Sequence, residues 1–375
     1  MSDSVPSADH VQGAPHPRET PQLYGQDEAM GSFLQAYASD RLHHGWLLTG
    51  PRGVGKATLA WMIARFLLAT PPQEDDGLFG ASPPPKNLDI DPQHPVARRI
   101  LAGGEPGLAM VRRSVNEKTG RLRDDIVVDD VRALHRFFGL SAADGGRRIV
   151  IVDCADEMNV SAANALLKML EEPPARATLL LISHQPSRLL PTIRSRCRTL
   201  RLSPLSAADM TLALAQAGAT VPEDPATAEY LSVLAGGSVG DALRLLALNG
   251  VALYGQLLDL LATLPSLDRG RSLKMAEAAA ARNAGDRFDM LLTLTDLALA
   301  RLARTGATGH APMPEAAPGE AQTLARLAPS PDKGRAWAEL AAMVGARTRH
   351  GKAVNLDPAA LVLDTVFKMQ ETAAR

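Results

Sequence analysis

The chain has 375 residues, 46% of them apolar and 22% charged, and its 40 basic side chains nearly cancel 41 acidic ones to a net charge of −1. This is the composition of a globular protein of two or three domains, and it excludes a polycationic nucleic-acid coat, so any contact with phosphate falls to a local patch of Lys and Arg. Two cysteines, Cys154 and Cys197, exclude a disulfide framework and a four-thiolate zinc site and fit a reducing cytosol.

Residues 1–22, MSDSVPSADHVQGAPHPRETPQ, are dense in Ser, Pro, Asp and His and lack the charged start and apolar stretch of a signal peptide. They read as a mobile tail outside the fold. No run approaches the roughly 18 apolar residues of a membrane span, so a cytoplasmic protein without membrane contact is expected.

Between Gly45 and Thr70 a short apolar run, Trp46-Leu47-Leu48-Thr49, is followed by Gly50-Pro51-Arg52-Gly53-Val54-Gly55-Lys56 and then by apolar periodicity from Leu59 to Leu68. This is strand, glycine loop, helix. Gly50, Gly53, Gly55 and Lys56 have the spacing of a phosphate-binding loop, in which backbone N–H groups converge on phosphate oxygens at a helix N-terminus and the lysine reaches the outer phosphates. The residue after the lysine normally carries the hydroxyl that binds magnesium. Here it is Ala57, with Thr58 one position late.

Residues 71–107 hold several prolines and no clear period. A second apolar run, Ile149-Val150-Ile151-Val152, stops at Asp153, and a third, Leu179-Leu180-Leu181-Ile182, stops at Ser183. Both read as buried parallel strands. Asp153 is placed to hold magnesium through water, or simply to cap the strand. The next residue, where a glutamate would activate the attacking water, is Cys154, a poor base. Ser183 either hydrogen-bonds a phosphate or water or caps its strand. The helical pattern from Ser161 to Leu170 ends at Glu171-Glu172-Pro173-Pro174, where proline stops it. Arg194, Arg196, Arg198 and Arg201 cluster after the third strand, either as a solvated face or as arginines presented to a phosphate.

From about Ser206 strand signals give way to Ala/Leu-rich helical segments, broken at Gly236-Gly237-Ser238 and again by a Gly/Pro/Ala stretch near 306–320 that reads as a loop. The expected divisions are the tail to 22, an α/β domain with a parallel sheet over 23–205, a small helical domain over 206–265 and an all-helical block over 266–375.

Tyr24-Gly25-Gln26-Asp27, Arg41-Leu42-His43-His44-Gly45 leading into the loop, Asn164-Ala165-Leu166-Leu167-Lys168-Met169-Leu170-Glu171-Glu172-Pro173-Pro174, and Ser195-Arg196-Cys197 together resemble the clamp-loader branch of the AAA+ ATPases. The resemblance is clear from about 23 to 205 and thins toward the C-terminus. It implies a P-loop AAA+ domain, a helical lid and a helical collar that joins a ring with gamma/tau and delta subunits of DNA polymerase III, loading a sliding clamp at primed DNA. It also implies that Arg196, in the family's Ser-Arg-Cys motif, is an arginine finger for a neighbour's nucleotide. Hydrolysing members carry a hydroxyl, an acidic pair and a sensor arginine where this chain has Ala57, Cys154 and Gly240, and most relatives hold a four-cysteine zinc module that residues 71–107 lack. The expectation is therefore a non-hydrolysing subunit, binding ATP or ADP weakly through Gly50, Gly53, Gly55, Lys56, Thr58, Asp153 and Ser183, without zinc. The competing reading is an active gamma/tau-like ATPase using Lys56, Thr58, Asp153 and a displaced carboxylate such as Asp156.

Overall fold

A computed structural model describes residues 14–39, 42–70, 85–116, 118–139, 146–282 and 284–375. They form two compact units, one built on residues up to Ala219 with Gly237–Gly240, the other on Thr220–Gly236 with Asp241–Arg375.

The first unit contains, in chain order, α1 (Asp27–Ala38), β1 (Gly45–Thr49), α2 (Lys56–Ala69), α3 (Pro95–Leu101), β2 (Leu108–Val111), α4 (Val128–Gly139), β3 (Arg148–Val152), α5 (Val160–Glu171), β4 (Ala177–Ser183), α6 (Pro191–Ser195), β5 (Arg198–Arg201) and α7 (Ala207–Gln216). The strands make one parallel sheet in the order β2-β3-β4-β1-β5. The three strands expected from sequence are its three central ones. Helices cover both faces, so β1 and β4 are buried at every residue and read as continuous apolar runs.

The two edge strands escape that reading. β5, Arg-Thr-Leu-Arg, buries only Leu200 and was counted in the basic cluster, and β2 is a four-residue edge beyond the unreadable stretch. The reason is physical: an edge strand is covered on one side only, so it carries no uninterrupted apolar run. Of that stretch, residues 71–84 lie outside the described residues, and α3 occupies part of the remainder with His94 as its side-chain cap.

Local chemistry sets the helix ends. Asn159 Oδ1 accepts the Ala162 N–H at 2.9 Å to start α5, and Ser206 accepts from Asp209 N–H to start α7. The tail reading differs in part. Residues 1–13 lie outside the described residues, whereas Arg65 Nη2 donates to Arg18 O at 2.8 Å and the His16 ring meets the Trp61 ring edge-on at 5.7 Å, which seats residues 14–19 on α2. Likewise α7, expected in the small helical domain, belongs to the first unit, where Gln216 Nε2 donates to Gln22 O.

The second unit is helical: α8 (Pro225–Ala235), α9 (Val239–Ala247), α10 (Gly250–Thr263), α11 (Arg269–Ala280), α12 (Gly285–Thr308), α13 (Glu320–Leu327), α14 (Pro331–Ala353) and α15 (Pro358–Ala374). The expected loop near 306–320 begins after Thr308. α12 and α14 cross at Gly306 and Gly334, where a Cβ on Gly306 would lie 2.5 Å from the Gly334 Cα, so any side chain here would force the two backbones apart. Arg326 closes the end of α10 by donating to the carbonyls of Leu261, Ala262 and Leu264. No single helix among the described residues is long and apolar enough to cross a membrane.

Candidate functional site

The glycine loop leaves β1 at its carboxyl end and delivers Lys56 as the first residue of α2. Gly50, Gly53 and Gly55 have φ of 140°, 71° and 97°, a backbone that residues with a Cβ adopt only at a cost, and this is what turns a strand sharply into a helix. The Lys56 ammonium is buried within the loop, donating to Gly50 O at 2.7 Å and to Pro51 O. Burial lowers its pKa to about 8, against the opposing influence of Cys154, Asp156 and Asp153.

This chain's own atoms crowd the cradle. Gly53 O accepts the Val239 N–H at 2.9 Å, a Cβ on Gly53 would lie 2.1 Å from Ser238 Oγ, and one on Gly55 would lie 2.4 Å from Leu23 Cδ1. Gln26 pins the loop from the other side: its buried amide donates to Val54 O and Ser203 O and accepts the Ser203 N–H. The match at Tyr24-Gly25-Gln26-Asp27 therefore has a mechanical content, a clamp between loop and sheet.

Facing the loop across the carboxyl ends of β3 and β4 are Asp153, Cys154, Ser183 and His184. Asp153 is nearly buried. Cys154 adopts a left-handed conformation, φ 59°, with its sulfur 3.3 Å from His184 Nε2. Burial, then the charge of Asp153, pushes the Cys154 thiol well up, and burial with the nearby Lys56 and Arg52 cations lowers the His184 pKa to about 4. The pair is a neutral thiol beside a neutral ring, neither a thiolate nucleophile nor an effective base.

The displaced carboxylates are engaged elsewhere. Asp156 accepts the backbone N–H groups of His184 and Gln185, and Glu157 bridges Arg52 of the loop at 3.1 Å and Arg113 at 2.9 Å. That bridge and His184 were not singled out in the sequence. An arginine inside the glycine loop was the available signal. Ser183 Oγ is fully buried and has no hydrogen-bond partner among the described residues.

A magnesium-bound nucleotide does not fit this donor set for hydrolysis. The position that should bear a hydroxyl is the Ala57 methyl, Thr58 lies one residue further along α2, and the Asp156 and Glu157 carboxylates are engaged by backbone N–H groups and by Arg52 and Arg113. The structure thus brings Gly50, Gly53, Gly55, Lys56, Asp153 and Ser183 to one end of the sheet, with Thr58 a turn into the helix. Among the described residues no group of three or more His, Cys, Asp or Glu side chains is arranged to hold a metal ion.

Arg196 is at the other end. α6 carries Thr192 and Ser195, whose backbone oxygen and hydroxyl hydrogen-bond each other, and β5 then pairs in parallel with β1, Arg198 opposite Trp46. Arg196 therefore lies beside the amino end of β1, its carbonyl 3.1 Å from where a Gly45 Cβ would be, while the glycine loop leaves the carboxyl end. Its guanidinium is partly exposed, 2.9 Å from Glu171 and donating to Thr192 O. Arg198 stacks over the Trp46 ring, and the Cys197 thiol is held by burial at about 12.

Residues 25–206 match the family model for "DNA polymerase III, delta subunit". The DNA polymerase III subunit delta' of Pseudomonas aeruginosa is 41% identical over 225 residues, 60% of this chain and 61% of that protein. The Bacillus subtilis subunit delta' is 31% identical over 182 residues, 48% of each chain, and the Salmonella typhimurium subunit tau is 27% identical over 280 residues, 74% of this chain and 40% of that one. This chain spans between about two-fifths and three-fifths of the length of these curated relatives. Through the segment that holds the glycine loop, Asp153, Ser183 and Arg196, the chain is similar to the delta-prime subunits of DNA polymerase III.

Proposed function

We propose that this protein is the non-hydrolysing, stationary subunit of a replicative clamp loader, one that lends Arg196 to the nucleotide of a neighbouring subunit. A single observation carries the reading. Arg196 stands at the amino end of β1 and the chain's own glycine loop at the carboxyl end, so about four residues of strand, roughly 13 Å, separate the arginine from the phosphate cradle it would otherwise serve. An arginine in that place acts in trans or not at all. The cradle itself supports the same reading, with Ala57 and Cys154 where a metal ligand and a base belong.

The partners in this reading are gamma/tau and delta subunits, and through them the sliding clamp and primed DNA, all in the cytoplasm. The degenerate cradle holds ATP or ADP weakly and without turnover, and the chain carries no zinc. Within the proposed ring, the planar guanidinium of Arg196 would leave Glu171 and face the neighbour's γ-phosphate, stabilising charge as the phosphoryl group departs.

The test is reconstitution with gamma/tau and delta subunits, reading complex mass by light scattering and ATP turnover with and without this chain. The expected result is a defined hetero-oligomer whose ATPase rises when this chain is added, although the chain alone is inert. A chain that stays outside the complex, or that hydrolyses ATP by itself at a rate destroyed by Lys56→Ala, overturns the reading.

A further inference from the structure

Helices α10, α11 and α12 of the second unit line a cavity of about 420 Å³ whose floor and rim differ in chemistry. The floor is apolar. Met275 and Ala279, one turn apart on α11, line it together with Leu253 of α10 and Leu291 of α12, and all four are buried. The rim is charged. Gln256 and Asp259 stand one turn apart on α10, Arg271 and Lys274 one turn apart on α11, and Arg287 one turn before Leu291 on α12.

Arg271 is committed within the chain. Its Nη1 lies 3.0 Å from Asp259 Oδ2 and its Nε 3.2 Å from Asp268 Oδ2, so Asp259, the carboxylate on the rim, already has its counter-charge. Lys274 and Arg287 are not committed. Among the described residues neither side chain has a hydrogen bond or an ion pair, and their acidic neighbours Glu277 and Asp286 do not line the cavity. Asn283, the one residue of this unit outside the described ones, is uncharged. Exposed Lys274 and half-buried Arg287 thus stand over an apolar floor as cations still to be matched.

We propose that this cavity is a binding site for a small organic anion, its apolar body on the floor and its carboxylate between Lys274 and Arg287. Volume and charge together choose the ligand. Small-molecule sites occupy about 300 to 1,000 Å³ and are mostly apolar, with a few polar groups that fix orientation, and this cavity is built in that way. A neutral hydrocarbon would leave both cations unused, and an inorganic anion would leave the floor wet. Hydrogen bonds from ionised donors to a carboxylate are stronger than neutral ones, and the Arg287 guanidinium offers the planar fork that matches it. The unbranched thioether of Met275 lets the floor adapt to bodies of different shape. The site belongs to the helical unit alone, so it needs neither the glycine loop nor the clamp-loader reading.

The experiment uses the full chain and octanoate, an apolar body with one carboxylate, titrated by isothermal calorimetry below its micelle concentration. Octanol supplies the body without the charge, and acetate the charge without the body. Two variants are compared with the parent: Lys274→Gln/Arg287→Gln removes both cations, and Ala278→Leu fills the half-buried wall of the cavity while leaving them in place. Thermal melts without ligand establish that the three chains fold alike, and the comparison of the three probes on the parent needs no variant. The expected result is a single octanoate site whose affinity falls about tenfold or more in the charge variant, as the loss of a charge-assisted hydrogen bond implies, and is lost in Ala278→Leu. Octanol should bind the parent more weakly than octanoate does, and acetate should not bind. No octanoate binding by the parent overturns the proposal. So does acetate bound as tightly as octanoate, or octanoate bound equally by all three chains, which is adsorption outside the cavity. If octanoate fails to bind and the charge variant also fails to assemble with gamma/tau and delta subunits, the rim serves an acidic side chain of a partner and the small-molecule site falls, with the clamp-loader reading untouched.

Discussion

The Arg196 guanidinium rests 2.9 Å from the Glu171 carboxylate, an ion pair between two side chains that are each more than a third exposed. A pair this open is worth at most about 1 kcal/mol, so Arg196 is parked and not locked. A partner's phosphate, with two charged oxygens for the planar fork, competes readily with a single exposed carboxylate.

On the proposed role, Arg196→Ala should leave assembly with gamma/tau and delta subunits intact while lowering the ATPase of the complex in part and clamp loading further. An arginine finger is worth about 10³ to 10⁵ at the site it serves, but one site among several feels the loss. Arg196→Lys should not rescue, because an ammonium lacks the fork. Parental clamp loading by Arg196→Ala complexes, alongside a defect in Arg194→Ala or Arg198→Ala, would assign the role to the wrong arginine.

Intrinsic ATP hydrolysis should be negligible, since the Ala57 methyl offers no metal ligand and Asp156 and Glu157 are spent on backbone N–H groups and on Arg52 and Arg113. Absence of a positioned base alone removes a factor of about 10² to 10⁴. Turnover by the isolated chain, measured with coupled phosphate release, should not change on Lys56→Ala.

Much of this was legible in the sequence because burial on both faces writes itself into composition. The central strands Trp46–Thr49, Ile149–Val152 and Leu179–Ile182 are unbroken apolar runs, and Gly50, Gly53, Gly55 and Lys56 announce a loop whose backbone few other residues allow. The edge strand Arg198–Arg201 was not legible, because one buried leucine among arginines carries no period. Nor were the relationships that depend on distant residues: Gln26 meeting Ser203, Arg52 and Arg113 meeting at Glu157, and Ser238 set against Gly53. Spacing along the chain says nothing of a contact 177 residues away.

His184 supplies a pH dependence whose sign follows from burial. Its pKa in the folded chain is about 4, against an ordinary 6.5, because burial and then the Lys56 and Arg52 charges disfavour the imidazolium. Between pH 6.5 and 4 the unfolded ring takes a proton that the folded one refuses, so its contribution to stability is complete above about 6.5 and is lost as pH falls toward 4. Urea midpoints at pH 7 and pH 5 should therefore fall further in the parent than in His184→Gln, which keeps a side-chain polar group in the same region and does not titrate. An imidazole resonance titrating near 6.5 would contradict the burial argument.

The second unit has its own buried charge, and its energetics can be tested without partners. Glu320 is fully buried: Oε1 accepts the Tyr254 hydroxyl at 2.5 Å and Arg301 Nε at 2.7 Å, and Oε2 accepts Arg301 Nη2 at 2.7 Å and the Ala316 N–H at 2.6 Å. Arg301 also donates to the carbonyls of Pro312 and Pro314, so the one ion pair ties α10, α12 and α13 to the connection that follows Thr308. Burial and the Glu320 charge hold the Tyr254 phenol well above its ordinary pKa, which keeps it a donor at any physiological pH. Glu320→Ala strands the Arg301 guanidinium, which is only 12% exposed, and should destabilise the unit by about 3 to 5 kcal/mol. Removing both charges with Glu320→Leu/Arg301→Leu should cost clearly less than the sum of the single losses, since neither charge is then left alone. Native-state hydrogen exchange reads the result region by region: protection should fall in α13 and in residues 309–319 of the Glu320→Ala protein and recover in part in the double variant, with β1, β3 and β4 unchanged. Additive losses would mean that the four contacts on Glu320 act independently and that the carboxylate is not the keystone of that corner.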